Sequence, residues 1–304
     1  PWSGPWTVCP NMTERTCSVK PTAAYRPPYD ELTIYYLEGH VPEQALAELP
    51  TYIGPWEEDA LSFVFFSAMA ETAIDALLQA QPDLTLIDRY QMSYEDWQGG
   101  RIAAFRAGRF HVRPPWENDD TWPPEGPKLV GEIPLLLDPG VVFGTGTHPT
   151  TRDCLAALEL LYRDAVIDTV LDLGTGTGIL AIAAAGLGSP RVAAVDFNRL
   201  AVQTASRNVS LNGVEDQILL VHGRAEQLVA SSADLLIANI HFDVMQELLQ
   251  SPGFKAKPQW ILSGLLRSQA REVENVIGAG GGHIVRSWTR DHIWYTYLGY
   301  NDRP

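Results

Sequence analysis

Two aspartates and three glycines are the first residues in this sequence with chemistry to offer. Asp172 lies in the apolar run Val170-Leu-Asp-Leu173, and Gly174, Gly176 and Gly178 follow before an alanine-rich segment opens at Ile179. A strand that runs through such a turn into a helix presents free backbone N–H groups to a ligand. Glycine lets that backbone take positive φ and approach without a Cβ in the way. Asp196 closes the next apolar run, Arg191-Val-Ala-Ala-Val-Asp196, at the strand tip where a carboxylate accepts both hydroxyls of a ribose. A dinucleotide fingerprint needs its third glycine at 179, which is isoleucine, and a phosphate loop needs Gly-Lys-Ser/Thr, which Thr177-Gly178-Ile179 does not supply. The spacing points to a nucleoside, and the Gly-x-Gly-x-Gly form points to S-adenosylmethionine rather than NAD. A plainer reading has Asp196 only cap the helix that begins near Leu200.

A second glycine loop precedes the first. Asp138-Pro-Gly-Val-Val-Phe-Gly-Thr-Gly-Thr-His-Pro-Thr-Thr151 carries Gly144, Gly146 and four threonines, too polar and too flexible to fill a core. Thr150 and Asp153 have capping-box spacing ahead of Leu155, Leu158 and Leu161, so the loop is expected to end on a helix N-terminus. Such a terminus suits a carboxylate, for instance that of a methionine moiety; a capped loop without ligand is the simpler alternative. Ala233-Asp-Leu-Leu-Ile-Ala-Asn-Ile-His241 reads as a fourth strand with Asn239 at its carboxyl tip, where ligands sit in open α/β sheets. Gly223, Arg224 and Ala225 follow the third strand, in the place where an adenine is often read.

These motifs sit in a chain of 304 residues, long enough for one large or two modest domains. Composition is ordinary for a globular protein, with 45% hydrophobic and 19% charged residues. A formal charge of -15 argues against a nucleic-acid surface and would steer a basic partner, with plain solubility charge the simpler reading. Cys9, Cys17 and Cys154 form no C-x-x-C pair and leave an odd count, which suits a reducing cytoplasm. The longest apolar run, Leu61-Ser-Phe-Val-Phe-Phe66, is strand-sized, so no membrane span is expected, and the first residues lack signal-peptide character. The seven histidines show no metal-ligand spacing.

Elements to position the motifs can be traced in order. Residues 1–28, rich in Pro, Thr and Ser, read as a tail. An α+β unit over 29–92 is expected from strands at Leu32–Leu37, Ala60–Phe66 and Leu84–Arg89, a short helix opened by Pro42, and a helix over Glu71–Gln79. Residues 93–128 form a proline-rich linker, with Arg109 and Arg113 flanking Phe110 and His111, expected to pack on the second domain. In that domain, from 129 to 304, strands alternate with helices, and Asn212-Gly213 marks a helix stop. Two last strands, His283–Trp288 and Ile293–Leu298, predict an antiparallel hairpin at a sheet edge.

With these residues in hand, the chain resembles the PrmA family, bacterial methyltransferases that act on large-subunit ribosomal protein eleven. The likeness runs from about Tyr29 to the end, and its most specific piece is the threonine-rich loop 138–151. Val170–Ala181, Ala194-Val-Asp196, Asn208 through Asn212-Gly213, and Ala238-Asn239-Ile240 follow in the family's order. The resemblance implies a smaller N-terminal α+β recognition domain, a linker, and an α/β catalytic domain built on a Rossmann-like, seven-stranded class I methyltransferase sheet. It implies S-adenosylmethionine as cofactor, with Thr151, Gly174, Asp196 and Asn239 as contacts, and a basic large-subunit ribosomal protein as partner. Asp172, Gly176, Phe143 and Thr147 of the two glycine loops are added as expected cofactor contacts, and no nucleic acid, membrane or metal is expected. Here His241 stands where the family usually has leucine, and the linker between Asp96 and Trp116 is compressed. Methylation of another protein, such as the electron transfer flavoprotein β subunit, or of a small molecule is the alternative. A non-catalytic cofactor-binding protein and an NAD oxidoreductase are further rivals, the last disfavoured by Ile179. The Asn-Pro-Pro-Tyr signature is absent, which argues against glutamine or adenine amines as acceptors; the resemblance implies lysine amines, with N-terminal amines as a further candidate.

For such an acceptor, Asn239 and the Ile240 carbonyl are the expected hydrogen-bond acceptors of the incoming amine, with the 143–148 loop closing over the cofactor. His241 is a candidate to take the proton. His148 is either a second candidate or a hydrogen-bonded brace for its loop.

Overall fold

The computed structural model describes residues 27–302 apart from 59, 118–130 and 143. The predicted tail, Cys9, Cys17, Phe143 and most of the proline-rich part of the linker lie outside the described residues.

Alternating apolar residues build β1 (Glu31–Glu38), β2 (Tyr52–Glu58) and β3 (Leu61–Phe66), followed by helix α1 (Glu71–Ala80) and β4 (Thr85–Ser93). They form an antiparallel sheet in the order β2-β3-β1-β4. One face buries Tyr35, Leu37, Val64 and Phe66 against Ile74 and Leu77 of α1. Strand β2 was not foreseen, because Gly54 and Pro55 read as punctuation. Proline is tolerated there because β2 is an edge strand and its missing N–H breaks no inner ladder. The helix expected after Pro42 is only a 3-10 turn over Glu43–Ala45, since so short a segment cannot offset helix nucleation.

The linker contributes a four-residue helix α2 (Tyr94–Trp97) and strands β5 (Phe105–Ala107) and β6 (Phe110–Arg113), which join β7 (Ile133–Leu136) in a three-stranded sheet. Phe110, Val112 and Leu135 are buried in the same core as Leu155 and Ala183, so the bridge packs on the larger unit as anticipated.

That unit comprises α3 (Pro149–Asp164), β8 (Thr169–Leu173), α4 (Ile179–Gly186), β9 (Arg191–Asp196), α5 (Arg199–Asn212), β10 (Ile218–His222), α6 (Ala225–Leu228), β11 (Leu235–Asn239), α7 (Phe242–Gln250), α8 (Pro252–Lys255), β12 (Gln259–Leu266), α9 (Arg267–Ala279), β13 (Gly282–Arg290) and β14 (Trp294–Asn301). The seven-stranded sheet runs β10-β9-β8-β11-β12-β14-β13. Its first five strands are parallel, and β14 pairs antiparallel with both β12 and β13, giving the expected edge hairpin. Apolar side chains of α3, α4 and α5 cover one face and those of α7 and α9 the other. Burial on both faces is why β8 and β11 are almost continuously apolar. Strand order reverses between β8 and β11, and their carboxyl ends therefore open a crevice. Helices α6, α7 and α8 were not anticipated; Lys257 after them is buried, its ammonium donating to the carbonyls of Val229 (2.6 Å), Ser231 (2.7 Å) and Gly253 (3.0 Å).

Candidate active site

The crevice at the strand reversal is where the sequence motifs meet. β8 delivers Asp172 and the glycine turn, β9 delivers Asp196, and β11 delivers Asn239. Gly174, with φ of 72°, has no room for a side chain: a Cβ there would overlap the Cγ2 of Ile240. The turn is held to β9 by hydrogen bonds from the Gly174 and Thr175 amides to the Val195 carbonyl, at 2.8 and 2.9 Å.

Asp196 is not the cap of the following helix. Asn198 fills that position, accepting from the Leu200 amide at 2.8 Å. The carboxylate of Asp196 instead accepts from Gly176 N on one oxygen and Asn198 N on the other, each at 2.9 Å. Both bonds orient it at the crevice edge, and each oxygen keeps acceptor capacity. Burial raises its pKa, an effect the two amides oppose. Asp172 is 1% exposed and accepts the Thr175 hydroxyl at 2.6 Å. Burial pushes its carboxyl up to about 7, with the Asp196 charge adding to the rise and the Thr175 hydroxyl opposing it. A cationic ligand nearby would restore its charge.

The threonine-rich loop is knitted to the glycine turn by one residue. Asn208, wholly buried on α5, accepts from Asp138 N (2.8 Å) and donates through its amide nitrogen to the carbonyls of Asp138 (2.9 Å) and Thr177 (2.8 Å). Asn212, one turn on, pairs in the same way with Leu136, accepting at 2.9 Å and donating at 2.7 Å. Thr177 adds a hydroxyl bond to the Gly144 carbonyl at 2.7 Å. The two glycine loops are thus one wall. Both asparagines were read only as a family match and a helix end; their i, i+4 spacing on one helix face was the available signal.

The loop enters α3 differently from the capping box expected at Thr150. His148 is the cap, because Pro149 is suited to the first helical position and places the cap one residue earlier. The Nδ1 of His148 lies 2.7 Å from the Thr150 hydroxyl, and its ring meets Trp294 edge to face at 4.9 Å. Burial lowers the His148 pKa, and the bond of its ring nitrogen to Thr150 braces the start of α3. Asp153 turns to Arg290 instead of back to the cap. Thr151 is buried and its hydroxyl has no hydrogen-bond partner, whereas Thr147 is exposed and shares its hydroxyl with Thr145 at 2.7 Å.

At the end of β11, Asn239 and Ile240 are half-buried and His241 is exposed, at the cap of α7 without a side-chain bond to it. Gly264 of β12, at φ of 85°, leaves the Ile240 carbonyl uncovered; a Cβ would lie 2.7 Å from that oxygen. Phe197, beside Asp196, is 52% exposed although aromatic, and sequence reading passed over it. Among the described residues no group of three or more His, Cys, Asp or Glu is placed to hold a metal ion. No described helix is long and apolar enough to cross a membrane. A cavity of about 420 Å³ lies away from both acids, among Tyr94, Arg101, Ile102, Trp116 and Glu117 of the linker. None of the crevice residues lines it.

The family described as "Ribosomal protein L11 methyltransferase (PrmA)" matches residues 51–300. A ribosomal protein L11 methyltransferase from Desulforamulus reducens is 36% identical over 217 residues, 69% of this chain and 67% of the relative. Another from Myxococcus xanthus is 34% identical over 230 residues, 74% of this chain and 77% of the relative. The crystal structure of ribosomal protein L11 methylase from Lactobacillus delbrueckii subsp. bulgaricus superposes with a TM-score of 0.56 at 27% identity, over 66% of this chain and 100% of that one. The chain therefore belongs to the ribosomal protein L11 methyltransferase (PrmA) family, class I methyltransferases with a Rossmann-like fold that use a methyl donor of the adenosylmethionine type.

Proposed function

We propose that this chain transfers methyl groups from S-adenosylmethionine to lysine amines of ribosomal protein L11, in the cytoplasm. Residues 29–92 would recognise the substrate, 93–128 link, and 129–304 catalyse. The observation that carries this reading is the knitting of the family's most specific loop to the glycine turn through Asn208. It supports reading Thr151, Gly174, Gly176, Asp172 and Asp196 as one site, to which we add Thr147 and Phe143 from the sequence.

The residues present fit the donor. The unpartnered, buried Thr151 hydroxyl awaits a polar group at a helix N-terminus, where a carboxylate is favoured. Asp196, oriented by two amides, suits ribose hydroxyls, and exposed Phe197 offers a face to the adenine. Asp172 favours the positive charge of the methionine half.

Bound S-adenosylmethionine supplies an electrophilic methyl group on a positively charged sulfur. The protein's part is alignment. The Asn239 side-chain oxygen and the Ile240 carbonyl accept hydrogen bonds from the incoming amine and aim its lone pair. A lysine arrives protonated, with an ordinary pKa of about 10.4, and burial next to positive charge lowers it. A strong base is therefore unnecessary, and exposed His241 serves as acceptor of the released proton. The net charge of -15 steers a basic substrate toward the chain.

Incubation with labelled donor and bacterial large-subunit extract tests the proposal. A single labelled band at ribosomal protein L11, lost in Asp196→Ala, is expected; label on another protein reassigns the substrate, and no donor binding by calorimetry refutes the site. The His241→Leu variant should slow single turnover; unchanged single-turnover rates across pH remove His241 from the mechanism.

A further inference from the structure

The C-terminal hairpin ends beside the donor loop. β14 runs antiparallel to β12 with Trp294 opposite Leu266, while Asn239 lies opposite Ser263. The β13–β14 turn is therefore at the carboxyl edge of the sheet, the edge that carries the crevice. Asp291 and His292 take φ of 52° and 55°, and Ile293 N donates to the Arg290 carbonyl at 2.9 Å. Turns of this hand match the twist of the flanking strands, though non-glycine residues are uncommon in them.

From either side of this turn one side chain reaches back to α3. Arg290 donates through Nε (2.9 Å) and Nη2 (2.8 Å) to Oδ1 of Asp153. The aspartate side chain is 1% exposed against 53% for the arginine, and its other oxygen has no hydrogen-bond partner. A carboxylate so buried stays charged and in place only while its counter-ion holds it. Trp294 meets His148, the cap of the same helix. Thr151 lies between these two fixed points along the chain, its hydroxyl buried and without a hydrogen-bond partner.

We propose that Arg290, with Trp294 beside it, is a positioning residue for methyl-donor binding: through Asp153 it holds the first turn of α3 in the orientation that presents Thr151 to the donor. The inference rests on residues 138–151 forming the donor site, as argued above. It links the last hairpin of the chain to a loop 137 residues earlier. Arg290 does not touch the reacting atoms, so its loss should weaken donor binding and spare the chemical step.

Calorimetric titration of the full chain with S-adenosylmethionine and S-adenosylhomocysteine, together with steady-state kinetics, tests this. Arg290→Ala is expected to weaken donor binding about tenfold, in line with loss of a charged hydrogen-bond pair, with kcat at saturating donor unchanged. Arg290→Lys restores charge but not the paired N–H geometry and should recover part of the affinity. Arg286→Ala, an exposed change on the same strand, should bind as wild type. A folded Arg290→Ala protein with wild-type donor affinity, or one whose kcat falls while affinity holds, overturns the proposal. If Arg290→Ala does not fold, Arg290→Lys decides: intermediate affinity supports the clamp and wild-type affinity overturns it. Absence of donor binding in the wild type would instead bring down the donor-site reading itself.

Discussion

Replacing Asp172 with Asn isolates the energetic cost of keeping an acid beneath the glycine turn. Burial lifts this carboxyl from its ordinary 3.8 to about 7, which corresponds to about 4 kcal/mol between its two protonation states. Relaxation and water entry trim penalties of this kind, so about 2 kcal/mol is expected in practice. The native state binds the proton more tightly than the unfolded chain. Stability from this group is thus unaffected below 3.8, falls as pH rises toward 7, and is level above it. Asp172→Asn has no proton to lose. Urea unfolding of the ligand-free proteins should therefore show the variant gaining on the wild type by about 2 kcal/mol in all between about pH 3.5 and pH 8, with part of that gain falling between pH 5 and pH 8. Donor titrations should show the opposite preference: wild-type affinity rises through pH 7 as Asp172 ionises beside the cationic donor, while the variant binds weakly and without that pH dependence. A stability difference that is the same at pH 5 and pH 8 would refute this account of Asp172.

Three further perturbations test the packing. Asn208→Ala strands the Asp138 amide and the carbonyls of Asp138 and Thr177, and should cost about 3 kcal/mol in chemical denaturation while weakening donor binding by uncoupling the two loops. Gly174→Ala places a Cβ at positive φ against Ile240 and should lose about 1–3 kcal/mol, read as a lower melting temperature and a weaker donor titration. Lys257→Met leaves three carbonyls without their donor and should destabilise by about 3 kcal/mol, yet a refolded sample should bind the donor normally because the cage lies among α6, α7 and α8.

Local patterns carried much of this protein. The glycines at 174, 176 and 178, with acids before and after them, announced a strand, a turn and a helix, because positive φ is a requirement that few residue types meet, and they carry the nucleoside site proposed above. The terminal hairpin was legible from two adjacent apolar runs. Strand β2 was hidden by Gly54 and Pro55, whose tolerance depends on an edge position that no single segment reveals. The α3 cap was misread by two residues, although Pro149 marked it.

What the sequence determined by itself was the set of chemical groups and the local backbone each one needs, since those depend on short-range sterics and hydrogen bonding. Only the tertiary structure decided which groups share a site. Asn208 joining loops 70 and 31 residues away, and Arg290 reaching Asp153 across 137, are contacts between elements whose neighbourhood is set by sheet order and burial. Such pairings are products of the whole chain packing at once, and no window of sequence contains them.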